Sequence, residues 1–239
     1  MIALLNNFCG WISNGKEKNM DKFYPIILNS RLFQSLSIQE LPDLLKIAQP
    51  QQRTYAAGQR IWQAGEQVTS LGLVCAGRVQ IIKENPQGDR MIIATIDPAD
   101  LFGEAYLYAG AKTLPVSVDA VSEATVLFFE PEALLEVAWM PEGKRIIRNL
   151  LQILSQKSLL LNKKVAILSQ RKTADKVLVY LKTEAKRQQT NPLKIPYNRQ
   201  EMADYLGVER SALSAALSDM KQAGLLDYHK NEFTLHPFQ

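Results

Sequence analysis

Hydrophobic and polar positions change their period three times along the chain. Residues 22–47 carry an interrupted helical spacing, first in LFQSLS and then in a helix that Ser37 would open, with Glu40 three residues on as its capping partner. From 53 to 130 the chain becomes short apolar runs: RTYAAGQRIW, GEQVTSLGLVCAG, RVQIIKENPQGDRMIIATI, PVSVDA and EATVLFFE. Turns at Ala56-Ala57-Gly58, Ala64-Gly65-Glu66, Ala76-Gly77 and Asn85-Pro86-Gln87-Gly88 recur at strand-length spacing. They predict a series of hairpins closed into an all-β barrel or jelly roll, not a parallel sheet. No repeat of the helical-hairpin or propeller kind is present.

The third pattern is helical and long. Pro131 can occupy the first turn of a helix through EALLEVAWM. From Glu142 to about Ser169 no proline intervenes, and no glycine after Gly143. Ile147, Leu151, Leu154, Ser158, Leu161, Val165 and Leu168 alternate at four and three residues. With Ile147, Leu154, Leu161 and Leu168 at d and Leu151, Ser158 and Val165 at a, this is a coiled-coil seam that fits a dimer. Leu150, Ile153, Leu159 and Leu160 widen the stripe, which predicts that the helix meets both a partner helix and its own barrel.

A polar break, SQRKTAD over 169–175, is the candidate hinge before a further helix, VLVYLKTEAKRQQ. Asn191-Pro192 ends that helix, and LKIPYN reads as a short extended segment. Residues 198–224 then split into two short amphipathic helices. Asn198 caps the first, with Glu201 in a capping-box position and Met202, Ala203 and Leu206 on its apolar face. Gly207 ends it, since a left-handed backbone costs glycine least, and a second helix starts near Glu209. Leu213, Ala216, Leu217 and Met220 point inward there, leaving Arg210, Ser211, Ser214 and Ala215 on the other face. This is a helix-turn-helix, and LLDYHKNEFTL after it alternates about a Lys230-Asn231 turn, which predicts a small hairpin, or wing. Arg210 carries the fork that bonds guanine O6 and N7 together and is the expected base reader. Ser211 and Ser214 can serve bases or phosphates, while Arg199 and Lys221 stand where backbone phosphate is met. The bland alternative is a helical hairpin with a solvated basic face.

Composition narrows the class. The 239 residues are 46% hydrophobic and 22% charged, an ordinary globular balance long enough for one or two domains, and two is the reading adopted. A net charge of +4 and a pI near 9.0 permit a polyanion partner. Ten Lys or Arg residues between 157 and 194 concentrate that charge toward the C-terminal part. The two cysteines, Cys9 and Cys75, form no CxxC and have no histidine nearby, which points to a reducing, cytoplasmic setting and away from zinc or a four-cysteine cluster. His229 and His236 fall in the wing and tail and read as solvated surface, so no cofactor and no metal is expected. The first nineteen residues read as a loose extension, without a basic start or cleavage site and too short to span a bilayer. No GxxxxGK, GxSxG or HExxH motif occurs, so an enzyme is not expected.

Gly58, Gly65, Gly77 and Gly88 at their spacing, DLFGE over 100–104, and RQEMADYLGVERSALS together resemble the Crp/Fnr family of bacterial transcription regulators, over nearly the whole chain from Met20. The resemblance implies an α+β fold: a cyclic-nucleotide-binding-like β-roll (jelly roll) over 20–140, a long dimerisation helix over 141–170, and a winged helix-turn-helix over 171–239. It implies a homodimer on double-stranded promoter DNA in contact with RNA polymerase, with a small effector in the roll and no membrane. Arg210 then falls on a base-reading position, Ser211 on the next, and Ala215 on a third that is often arginine. The pocket departs from the pattern: cyclic-AMP-binding members carry an Arg followed by Ser or Thr after the FGE motif, whereas Leu114 and Pro115 stand here. Glu104, at the ribose-binding position, is either retained for a ligand or structural. Tyr106, Tyr108 and Lys112 flank that place and suit an aromatic or anionic effector other than cyclic AMP, or serve packing. Cys75 alternates with Leu71 and Leu73 and reads as a small buried apolar residue, a redox pair with Cys9 being remote. The alternative class is a sensory module acting on a protein partner.

Overall fold

A computed structural model describes residues 20–85 and 87–236. The first nineteen residues, Cys9 among them, and Pro86 of the turn anticipated before Gly88 lie outside the described residues. A 3₁₀ turn (Met20–Phe23) leads into α1 (Tyr24–Asn29) and α2 (Leu41–Ala48). Ser37 does not open a helix: its amide donates to Glu40 Oε2 at 2.7 Å within a turn, and α2 starts at Leu41 with Pro42 in its first turn. Proline needs no amide partner there, so it sets the start of the helix four residues after the serine.

Among the described residues eight strands build the roll: β1 (Gln51–Tyr55), β2 (Arg60–Trp62), β3 (Leu71–Ala76), β4 (Val79–Glu84), β5 (Arg90–Ile96), β6 (Leu101–Phe102), β7 (Ser117–Ala120) and β8 (Ala124–Phe129). They form two four-stranded sheets, ordered β1-β8-β3-β6 and β2-β7-β4-β5, with antiparallel pairing throughout among the described residues. Tyr55, Val74, Val79, Phe102, Val118 and Val126 fill the space between the sheets, as the alternation of each strand requires. Gly58, Gly65, Gly77 and Gly88 all have positive φ. At Gly77 the need is also steric, because a Cβ would sit 2.0 Å from the carbonyl oxygen of Glu123.

After β6 comes α3 (Glu104–Tyr108), and after β8 comes α4 (Pro131–Val137). Then α5 (Gly143–Leu168) runs for 26 residues. Its inward face is Ile146, Asn149 and Ile153 against the roll and its leading helices, then Lys164 and Ile167 against the C-terminal part. Asn149 is satisfied in that interface by donating to the carbonyl of Leu32 at 2.9 Å and to Ser35 Oγ at 3.0 Å. Arg145 reaches the Ser35 carbonyl at 2.7 Å and pairs with Glu40. The seam lies elsewhere on the helix. Leu151, Leu161 and Val165 are 59%, 53% and 61% exposed, Ile147, Leu154 and Leu168 are partly covered, and the off-seam Leu159 and Leu160 stay open too. Of the residues that widen the stripe, then, Ile153 and Leu150 reach the roll and Leu159 and Leu160 do not.

The break at 169–172 separates α5 from α6 (Thr173–Gln188). A second unit follows: β9 (Leu193–Lys194), α7 (Arg199–Leu206), α8 (Arg210–Gln222), β10 (Leu226–His229) and β11 (Glu232–Leu235), with its own sheet in the order β10-β11-β9. Its core of Val177, Leu181, Leu193, Met202, Leu206, Leu213, Leu217 and Phe233 is continuous with Ile82 and Ile92 of the roll. No helix among the described residues is long and apolar enough to cross a membrane.

Candidate nucleic-acid interface

The two-helix segment is fixed by its own caps. Asn198 accepts from the Glu201 amide at 3.0 Å, and Glu201 Oε2 accepts from the Asn198 amide at 2.8 Å, a complete capping box. At the other end Gly207 takes the left-handed conformation (φ +60) and its amide returns to the carbonyl of Ala203. The chain turns there, Glu209 precedes α8 in extended conformation, and Leu213, Leu217 and Met220 are buried. What remains outward at the start of α8 is Arg210, Ser211, Ser214 and Ala215, all exposed. Ser214 Oγ donates to the Arg210 carbonyl at 2.9 Å, so its hydroxyl is partly committed to its own helix.

The wing closes as anticipated: β10 pairs with β11 from Leu226↔Leu235 to His229↔Glu232 across Lys230-Asn231, Lys230 having φ +54. It brings Arg199 and Lys221 into local contacts that spacing did not reveal. The Arg199 guanidinium lies over the ring of Tyr228 at 5.0 Å and over Phe233 at 6.0 Å. Lys221 pairs with Asp227 at 3.0 Å and lies 5.7 Å from the Tyr228 ring centre. His236 joins Asp227 at 3.1 Å. These neighbours hold the Asp227 carboxyl below the usual range, Lys221 first and His236 second.

The helix-turn-helix is docked on the roll at both ends of α7. Glu201 Oε1 accepts from Gln80 Nε2 at 3.1 Å, and Thr95 Oγ1 donates to the Tyr197 hydroxyl at 3.2 Å. At the far end Lys164 of α5 donates to the Ile92 carbonyl at 3.2 Å and to the Tyr205 carbonyl, its ammonium lying over the Tyr205 ring. Lys176 of α6 donates to the Leu206 and Gly207 carbonyls at 3.3 and 3.4 Å. Two cations at the negative end of a helix follow the dipole. Burial, then the charge of Lys176, pushes the Lys164 ammonium down to about 7.

The four residues expected at an effector pocket fare differently. Glu104 is buried, and its Oε1 pairs with Lys157 of α5 at 2.8 Å while the same ammonium donates to the Leu101 carbonyl at 2.6 Å. Its Oε2 is buried without a partner. Tyr106 packs on an apolar cluster of Val68, Leu114 and Val116, Tyr108 is partly exposed beside Glu132, and Lys112 is exposed. A cleft of about 190 Å³ on the roll is lined by Arg53, Trp62, Ser70, Phe128 and others but by none of these four. Leu114, 2% exposed, exchanges backbone hydrogen bonds with Gly65 and Glu66 at 2.8 and 2.9 Å, so that segment is clamped in the roll by its main chain. Cys75 is half-buried against the roll core, and burial pushes its thiol up to about 12, an unreactive state.

Two family models match this architecture: the cyclic nucleotide-binding domain over 52–138 and the Crp-like helix-turn-helix domain over 176–237. Together they cover more than half of the chain. The chain belongs to the Crp/Fnr family. Among similar proteins, the CRP-like cAMP-activated global transcriptional regulator of Mycobacterium tuberculosis is 24% identical over 205 residues, covering 83% of this chain and 89% of the relative. Transcriptional activator protein FnrL of Cereibacter sphaeroides is 25% identical over 184 residues, 73% of this chain and 71% of the relative. In fold, the c-di-GMP-responsive global regulator CLP of Xanthomonas campestris superposes with a TM-score of 0.67 at 19% identity, covering 82% of this chain and all of that one. This Crp/Fnr chain is thus a DNA-binding transcription regulator with an effector-binding type of N-terminal domain.

Proposed function

We propose that the protein acts as a homodimer on near-palindromic promoter DNA in the cytoplasm, in contact with RNA polymerase, under a small effector other than cyclic AMP. The division of labour is roll over 20–140, dimer helix over 141–170 and DNA-binding unit over 171–239. The observation that carries it is the pairing of an exposed recognition surface with an exposed seam. Arg210, Ser211 and Ser214 stand open at the start of α8, while Leu151, Leu161 and Val165 stand open along α5. Three large aliphatic side chains more than half exposed on one helical stripe are covered most simply by the same stripe of a second copy, since a two-fold interface is self-complementary. A dimer presents two recognition helices to half-sites about 34 Å apart. Arg210 then reads guanine, and Arg199 and Lys221 meet phosphates.

The effector is distinguished by what the roll lacks. A buried phosphate needs charge-assisted donors, for which arginine is the usual source. Leu114 is apolar and buried at that place, Pro115 has no amide hydrogen, and the Glu104 carboxylate is already engaged by Lys157. Calorimetric titration with cyclic AMP and cyclic GMP should therefore give no saturable heat at low micromolar concentration, and such heat would overturn the exclusion. Sedimentation with a gel-shift on genomic promoter fragments tests the rest: the expected species is a dimer that shifts a subset of promoters. A monomer, or a protein that shifts none, would refute it.

A further inference from the structure

Tyr228 was not a candidate from sequence, yet two cations of the interface converge on it. Its ring, half-buried in β10 and 5.9 Å from that of its cross-strand partner Phe233, carries Arg199 from the first turn of α7 at 5.0 Å and Lys221 from the last turn of α8 at 5.7 Å. We propose that Tyr228 is a positioning residue that pre-orders Arg199 and Lys221 to receive the phosphodiester backbone of double-stranded DNA. This rests on the DNA reading above and adds to it the residue that sets the backbone contacts.

Arg199 and Lys221 sit on separate helices at long, rotamer-rich side chains, and ordering such a side chain at the moment of binding subtracts from affinity. A ring face attracts both cations through its quadrupole and so orders them beforehand. Among the described residues Arg199 has no carboxylate in salt-bridge distance, whereas Lys221 has Asp227. Burial, opposed by Tyr228 and reinforced by the neighbouring Arg210, holds the Arg199 guanidinium below its usual range. A partly desolvated Arg199 on an aromatic floor, with the positive charge of Arg210 nearby, lacks a counter-charge that phosphate would bring.

The test uses the full chain, a duplex selected by it from a random-sequence library, and a scrambled duplex of equal length, with affinities followed against salt. Tyr228→Leu, which keeps apolar volume without a ring face, should weaken binding to both duplexes alike by about 5- to 30-fold. Its salt slope should become shallower by up to about one unit per cation, the ratio between duplexes staying unchanged. Tyr228→Phe should restore the wild-type values. In an Arg199→Ala, Lys221→Ala background, Tyr228→Leu should cost little more, which separates positioning from simple support of the wing. Wild-type behaviour of Tyr228→Leu, a change in the ratio, or an undiminished cost in that background would each overturn the proposal while leaving the DNA reading in place. A wild-type chain that binds neither duplex overturns both.

Discussion

The recognition surface and the roll pocket descend from the same family pattern, and the structure treats them in opposite ways. At the start of α8 the polar side chains point outward and unburied, while Arg199 of α7 and Lys221 at the far end of α8 rest on an aromatic ring instead of being enclosed. In the roll the side chains turn inward: Leu114, Val68 and Val116 pack together as a buried apolar cluster, and Glu104 spends one carboxylate oxygen on Lys157. The difference teaches that a shared fold preserves backbone positions more faithfully than ligand chemistry. Function has to be read at each site separately.

The largest effect that can break this contrast lies on α5. Replacing both Leu154 and Leu161 with glutamate should leave a monomer with DNA affinity lower by at least two powers of ten, because one half-site contact replaces two. Unchanged sedimentation would remove the seam from the dimer. Next, Leu114→Arg with Pro115→Ser puts a charge into an apolar, 2% exposed position and should destabilise the fold by about 3–5 kcal/mol in denaturant titrations. Should the double variant instead fold normally and titrate with cyclic AMP, the pocket is open and the contrast fails. Arg210→Ala should lose roughly 1–3 kcal/mol of specific affinity and relax preference at one base pair per half-site, read by competition gel-shifts. Uniform weakening across sequences would reassign Arg210 to phosphate.

The smallest effect concerns Lys164. Its ammonium, near 7 in the folded chain and about 10.4 when unfolded, binds fewer protons in the folded state between those values. Folded stability should therefore rise with pH from about 7 to about 10, by at most about 1.4 kcal/mol per pH unit. The facing groups are Lys176 and the Tyr205 ring. Melting curves of wild type against Lys164→Met over that range should converge as pH increases, and parallel curves would show that Lys164 keeps an ordinary proton affinity in place.

What sequence made legible was local. The Asn198–Glu201 box, the left-handed Gly207, the Lys230-Asn231 turn and the turns at Gly58, Gly65 and Gly77 each depend on neighbours a few residues away, and each formed as read. Ser37 misled because a serine followed by glutamate three residues on also describes a plain turn, and Pro42 decided the start of α2. The contacts that couple the parts were not legible. Gln80 and Glu201 are 121 residues apart, and Lys157 and Glu104 are 53 apart. Lys163 and Lys164 look alike in sequence, yet one is exposed and the other is buried against a helix end. Tyr228 could be recognised as a strand residue of the wing, but the cations above it come from the outer ends of two helices that only the fold brings together.

Glu201 performs two tasks with one carboxylate: Oε2 holds the first turn of α7, and Oε1 holds Gln80 on the roll. Fraying at that helix end and slippage between the two domains are thereby a single relaxation, because the carboxylate cannot rotate away from one partner and keep its grip on the other. A capping change as small as Asn198→Ala, about 1 kcal/mol in an isolated helix, would register some distance away as faster amide hydrogen exchange along β4. The stiffness of the DNA-reading head is in this sense a property borrowed from the roll.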